Sequence, residues 1–350
     1  MSPGPVFASG IPEYVWTGKE MVVWGRMPGL CDPSSPPPCI GETGGRYDPA
    51  ADQWKAISLT GLSSDFFRGR ANAVGVWTGK EMLVWGGSCP ESIVCGGGAA
   101  YDPAQDRWRT MSDLNGPPRG RERYAAIWTG TRMILWGGTE YDLAHPPAIL
   151  KDVGNGFTYD PGSDAWTPIS SVGAPSARSG VVFAWTGTRM IIWGGTQQTQ
   201  PDSGVVFTDG ALYDPVSDTW QTMKSAPGPR GQFYDNWSWT GTELLVWSMA
   251  GTNGIAYDPA TDAWRTMSSE NTPRLGPFVW TGAEMLIWSG NAASPGGRYN
   301  PQTDRWGTMA RAGQPSARLG AIGLWTGSEM IVWGGQSGLR QLADGGRFTP

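Results

Sequence analysis

The chain has 350 residues with 52 Gly, 29 Pro and 21 Trp but only 16% charged residues, and a tryptophan-rich, charge-poor composition excludes a disordered chain. A formal net charge of −5 with no Lys/Arg cluster excludes broad nucleic-acid binding. No run approaches the roughly 20 apolar residues of a spanning helix, and no basic stretch followed by an apolar one opens the chain, so no membrane span or intact leader is expected.

Read in chain order, the same elements recur. Trp-Thr-Gly begins at Trp16, Trp77, Trp128, Trp185, Trp239, Trp280 and Trp325, spaced by 61, 51, 57, 54, 41 and 45 residues. An apolar run follows each and ends in a second tryptophan: Trp24, Trp85, Trp136, Trp193, Trp247, Trp288 and Trp333. After a loop of variable length comes Tyr-Asp-Pro at Tyr47, Tyr101, Tyr159, Tyr213 and Tyr257, weakened to Tyr-Asn-Pro at Tyr299 and Phe-Thr-Pro at Phe348. Six of these lead into Asp-x-Trp, at Trp54, Trp108, Trp166, Trp220, Trp264 and Trp306. Short β-branched and aromatic segments separated by Thr-Gly and Asp-Pro turn signals predict four antiparallel strands per repeat. A sheet apolar on both faces must stack on its neighbours until a ring closes, so the fold expected is all-β: one seven-bladed β-propeller over residues 1–350, its blades beginning near 9, 70, 121, 178, 230, 274 and 318.

The repeat resembles the kelch family, whose blades show a Gly-Gly pair after the second strand, a Tyr in the third and a Trp in the fourth. Here those pairs are Gly86-Gly87, Gly137-Gly138, Gly194-Gly195 and Gly334-Gly335. The resemblance covers essentially the whole chain and implies that the first strand of each blade is innermost. It leaves function open, because kelch propellers include binding scaffolds, sugar epimerases, specifier proteins and a copper oxidase. The seventh repeat lacks an Asp-x-Trp strand, so its blade has three strands or its outer strand belongs to chain preceding residue 1. The second alternative is favoured, because MSPGP resembles the material that follows that strand elsewhere.

The repeat accounts for 20 of the 21 tryptophans as blade packing and leaves only Trp237 off-pattern. The aspartate of Asp-x-Trp is expected to cap its turn. Arg70, Arg121, Arg178 and Arg318 each lie seven residues ahead of the first tryptophan, with Arg230 and Arg274 displaced. Gathered at one mouth of the channel they would hold a carboxylate; alternatively each braces its own blade against the next through backbone carbonyls. The repeat is broken at Glu13-Tyr14, Asn72, Glu122-Arg123-Tyr124 and Phe233 through Trp237. Candidate ligand-binding residues are therefore Arg70, Asn72, Arg121, Arg123, Tyr124, Arg178, Tyr234, Asn236, Trp237, Arg274 and Arg318. Candidates for proton transfer are Tyr124, Tyr234, Asp235 and Glu13, the two carboxylates being able to face one another across the channel. The loop carboxylates Glu91, Glu140 and Asp152 are also in reach of the rim.

The sole histidine, His145, cannot supply paired imidazoles, which excludes the copper-oxidase branch, and no nucleophile elbow or phosphate loop is present. No metal or cofactor is expected. Cys31 with Cys39 and Cys89 with Cys95 suggest two loop disulfides and hence a secreted or periplasmic protein of bacterial type; free thiols or a zinc site are the alternatives. The favoured function is a monomeric binding module that meets another protein through its long rim loops and channel mouth. The alternative is a carbohydrate-active isomerase or lyase that holds an acidic sugar on the arginines.

Overall fold

The structure, a computed structural model, describes residues 1–5, 12–25, 44–63, 70, 72–88, 94–142, 149–200, 203–226, 236–247, 254–273, 276–288, 296–310 and 315–350. It is all-β, a seven-bladed β-propeller. Six blades are four-stranded antiparallel sheets in the order first, second, third, fourth strand; the seventh has three strands among the described residues, Ile322–Trp325, Met330–Trp333 and Gly345–Phe348. The residues form two compact units: one holds blades six, seven and one with much of blade two, the other blades three, four and five.

Each blade is built by the same local chemistry. The turn between first and second strands, Thr17-Gly18 in blade one, places its glycine in the left-handed region, at φ between 93° and 103° in all seven repeats. The threonine N–H and Oγ1 both donate to the carbonyl at the far side of the turn, as Thr17 does to Glu20 at 3.0 and 3.1 Å. Second strands are buried throughout, Met133–Trp136 and Met190–Trp193 among them, because both faces meet neighbouring sheets. In the unit holding blades three to five, Val182, Ile191, Trp193, Leu244, Val246 and Tyr257 form one such inter-blade core.

Tryptophan does the stacking. The second-strand indole of one blade meets the fourth-strand indole of the next: Trp24 with Trp108, Trp85 with Trp166, Trp136 with Trp220, Trp193 with Trp264, and Trp333 with Trp54, at centroid separations of 4.7 to 5.9 Å. Rings this close and tilted bury large apolar area and add edge-to-face attraction.

The aspartate of Asp-x-Trp does not cap its own turn. That task falls to the Tyr-Asp-Pro aspartate, as when Asp48 Oδ1 accepts the Ala50 N–H at 2.9 Å. The Asp-x-Trp aspartate, held at φ near 50°, instead joins blades. Asp164 Oδ1 accepts the Tyr159 hydroxyl at 2.6 Å and the N–H of Ser112, in the preceding repeat, at 2.9 Å; Trp166 Nε1 donates to Ser112 O at 2.7 Å. Asp218, Asp262 and Asp304 repeat the clasp. At blade one the partner is Ser2: its N–H donates to Asp52 at 2.8 Å and its carbonyl accepts from Trp54 at 3.2 Å. The aspartate thus gives the hydroxyl of a buried tyrosine its acceptor while it fastens one repeat to the next.

Candidate functional site

First-strand residues alternate. The third residue (Val15, Val76, Ile127, Ala184, Ser238, Val279 and Leu324) is buried, whereas the Trp-Thr-Gly tryptophan that follows keeps partial solvent access in every blade. The second residue is half-buried at Tyr14, Phe183, Trp237 and Phe278. This pleat alternation sorts the off-pattern residues. Trp237 lies on the half-exposed side, its ring 5.4 Å from Phe183 and its Nε1 donating to the Phe183 carbonyl at 2.8 Å. Asn236, beside it, is buried.

Glu13 sits at the start of its strand, where its Oε2 accepts the Gly75 N–H of the next blade's first strand at 2.9 Å. Burial pushes this carboxyl up to about 8, and the Gly75 N–H opposes the shift only in part. The same position carries Val74, Ala125, Val182 and Ile322 in other blades, so Glu13 is an acid in an apolar slot.

Among the described residues the arginines that precede the first strands, Arg70, Arg121, Arg178 and Arg318, are buried, and the last three bind backbone. Arg121 donates to the carbonyls of Gly137 at 3.3 Å and Asn155 at 3.0 Å. Arg178 donates to Gly194 O at 3.1 Å and pairs with Asp209 at 2.9 Å; Arg318 donates to Gly334 O at 3.1 Å and pairs with Asp344 at 2.9 Å. Each therefore ties the approach to its first strand to the loop after the second strand of the same blade. All three side chains are 0% exposed. Burial draws the Arg121 guanidinium down to about 10, with Glu140 pulling it back from 3.9 Å. Arg178 also lies over the Phe207 ring at 3.7 Å, a cation–π contact. Arg70 is buried as well.

Asn72 and Arg123 take φ of 56° and 57°, the left-handed conformation adopted at the matching positions by Gly180 and Gly320, so their departure from the repeat coincides with a backbone requirement. Tyr124 is 3% exposed; it donates to the Trp85 carbonyl and meets the Trp85 ring edge-on at 5.5 Å. Tyr234, Asp235, Arg230, Arg274, Glu91, His145, Cys31, Cys39 and Cys89 lie outside the described residues. No free cysteine is present among the described residues, and none of their His, Cys, Asp and Glu side chains form a group of three able to hold a metal. No helix among them is long and apolar enough to cross a membrane.

Two rim features escape sequence reasoning. The loops after the second strands of blades three and four fold into hairpins, Thr139–Asp142 with Ile149–Asp152 and Thr196–Gln200 with Ser203–Val206. Asp152 clips them together: one carboxylate oxygen accepts the Thr139 hydroxyl at 2.7 Å and the other the Gln198 N–H at 2.8 Å. Asp152 is thereby buried, not a free rim charge, whereas Leu150 and Val205 on the hairpins stand 40% and 47% exposed. Only the Thr/Asp alternation across the first hairpin could have signalled the clip.

Radial sheets joined by indole stacking, Gly-Gly turns and Tyr–Asp clasps define a propeller of the Kelch class. The profile of the KLHDC2/KLHL20/DRC7 Kelch-repeats domain matches residues 13–246, and the chain belongs to the Kelch-repeat family. It is also similar to Kelch-like protein 25 of Xenopus tropicalis, with 24% identity over 182 residues, a stretch that is 52% of this chain and 27% of that protein. Kelch domains commonly bind proteins.

Proposed function

We propose that this propeller is a protein-binding module whose contact surface is the clipped pair of hairpins on blades three and four. The observation that carries the reading is the Asp152 bridge, which holds two loops as one platform and leaves Leu150 and Val205 turned to solvent. Preordered apolar side chains bind at small entropic cost, and exposed aliphatic groups inside a polar frame are what interfaces bury. The partner is a protein, the propeller acts as a monomer, and the compartment is secretory or periplasmic, with Cys31–Cys39 and Cys89–Cys95 closing two further rim loops. The acidic-sugar isomerase or lyase reading has no observation in its favour, since the guanidiniums of Arg121, Arg178 and Arg318 are buried on carbonyls and aspartates.

The test is a Leu150→Asp/Val205→Asp double variant compared with the wild type in crosslinking and affinity purification from the source organism. A partner captured by the wild type and lost by a normally melting double variant supports the surface. Equal capture by both, or a melting point raised by uronates or sialates, overturns it. Mass spectrometry without reductant checks the disulfides: four free thiols remove the secretory part of the reading.

A further inference from the structure

The tryptophans of the repeat differ in what becomes of their indole N–H. In the unit of blades three to five, the fourth-strand indoles Trp166, Trp220 and Trp264 donate to the carbonyls of Ser112, Ser170 and Lys224 at 2.7 to 2.8 Å, and Trp237 donates to Phe183. The first-strand tryptophans of the same blades, Trp128, Trp185 and Trp239, have no acceptor among the described residues, although each keeps partial solvent access. A donor that the fold leaves unused on a half-exposed aromatic ring is available to a ligand.

These three indoles stand in a row. The first strands of blades three, four and five run side by side, and each tryptophan is the last residue of its strand, paired with Met133, Met190 or Leu244 beside the Thr-Gly turn. Trp185 packs against the core that holds Ala125, Ile127 and Ile134 of blade three, and Trp239 against the core that holds Val182 and Ala184 of blade four, so both rings are fixed in place. The turns themselves are open: Thr131, Thr188 and Thr242 are exposed, and a Cβ at Gly130, Gly187 or Gly241 would meet nothing within 4 Å. All three turns read Trp-Thr-Gly-Thr, whereas the other four carry Lys19, Lys80, Ala283 and Ser328 after the glycine. The charged residue that follows each of the three threonines is drawn toward the outer strands. Arg132 lies 3.6 Å from Asp160, Arg189 donates to Gln221 at 2.8 Å and Glu243 accepts from Arg265 at 2.7 Å.

We infer that the Trp-Thr-Gly-Thr turns of blades three, four and five bind a neutral carbohydrate. Its pyranose rings lie on Trp128, Trp185 and Trp239, and its hydroxyls meet the indole N–H groups and the hydroxyls of Thr131, Thr188 and Thr242. The chemistry of the turns selects this ligand. The C–H face of a pyranose suits the negative face of an indole, and a sugar hydroxyl is both the acceptor these indoles lack and a partner for threonine. An acidic sugar or a charged peptide would find the charges of these turns already engaged by outer strands. First–second turns and second–third loops fall at opposite ends of antiparallel strands, so this site is separate from the hairpin platform and does not rest on the protein-binding reading.

The experiment is isothermal titration of the full chain with cellohexaose, maltohexaose and hexagalacturonate. Saturable binding of at least one neutral glucan is expected, with a dissociation constant of about 1 mM or below, and no binding of hexagalacturonate. Trp185→Phe keeps an aromatic ring in the packing but removes the N–H, and should weaken the glucan about fivefold. The triple variant Thr131→Ala/Thr188→Ala/Thr242→Ala, which gives each turn the form that Ala283 already gives blade six, should weaken it about tenfold at an unchanged melting point. The Leu150→Asp/Val205→Asp variant should bind the glucan as the wild type does. No heat with either glucan at about 5 mM, equal binding by the wild type and both turn variants, tighter binding of hexagalacturonate, or loss of binding in the Leu150/Val205 variant overturns the site. So does capture of a protein that the triple variant alone fails to hold.

Discussion

Blades six and seven share their first two strands and part company at the outer edge. Met285–Ile287 and Met330–Trp333 are buried alike, since each lies between neighbouring sheets. Beyond them blade six carries Tyr299, Asp304 and Trp306 joined to Ser268, while blade seven carries Phe348 at the tyrosine position and has the Met1 sulfur beside Gly345. The difference separates two jobs that the repeat otherwise combines: inner strands make the core, and outer strands fasten one blade to the next.

The largest effect separating these jobs is expected at the inner braces. Replacing Arg178 by Met leaves the Gly194 carbonyl without its buried donor and removes the ion pair to Asp209, at a cost of about 3 kcal/mol in urea unfolding. Trp306→Ala should cost a similar ~3–5 kcal/mol through the cavity left beside Tyr299, whereas Phe348→Ala, at the half-buried edge, should cost clearly less. Equal costs would show that the outer edge of blade seven is as well packed as that of blade six.

A third measurement follows stability against pH. Glu13 binds its proton more tightly in the folded chain than in the unfolded one, so its contribution is fully present below the unfolded value near 4.5 and is lost as pH rises toward about 8. Glu13→Gln should flatten that fall and leave the variant the more stable of the two at pH 8; parallel curves would refute the buried carboxyl. The smallest effect is on the clasp. Tyr299→Phe removes the hydroxyl that Asp304 accepts and should cost about 1 kcal/mol, read as a small drop in melting point.

The blades were legible in the sequence because each is specified locally: a left-handed glycine at the Trp-Thr-Gly turn, an apolar second strand, and an Asp-Pro turn before the last strand. The Arg121, Arg178 and Arg318 pattern was also visible, and with it both readings of the arginines, as a carboxylate cradle or a backbone brace. The carbonyls that each meets lie 16 or more residues away across a loop, and sequence spacing carries no record of that distance.

Asn72, Arg123 and Tyr124 stood out for breaking the repeat, but what a side chain touches depends on φ and pleat direction. Those put two of them in a glycine-type turn and the third under Trp85. The Asp152 clip was invisible for the same reason, since it joins two loops that meet only once blades three and four stand side by side. Periodicity by itself therefore determined the number of blades, the strand order and the slots of twenty tryptophans, because those depend on neighbours in the chain. Only the tertiary structure decided which polar groups are consumed inside the fold and which are offered outward, because a hydrogen-bond partner is chosen in space.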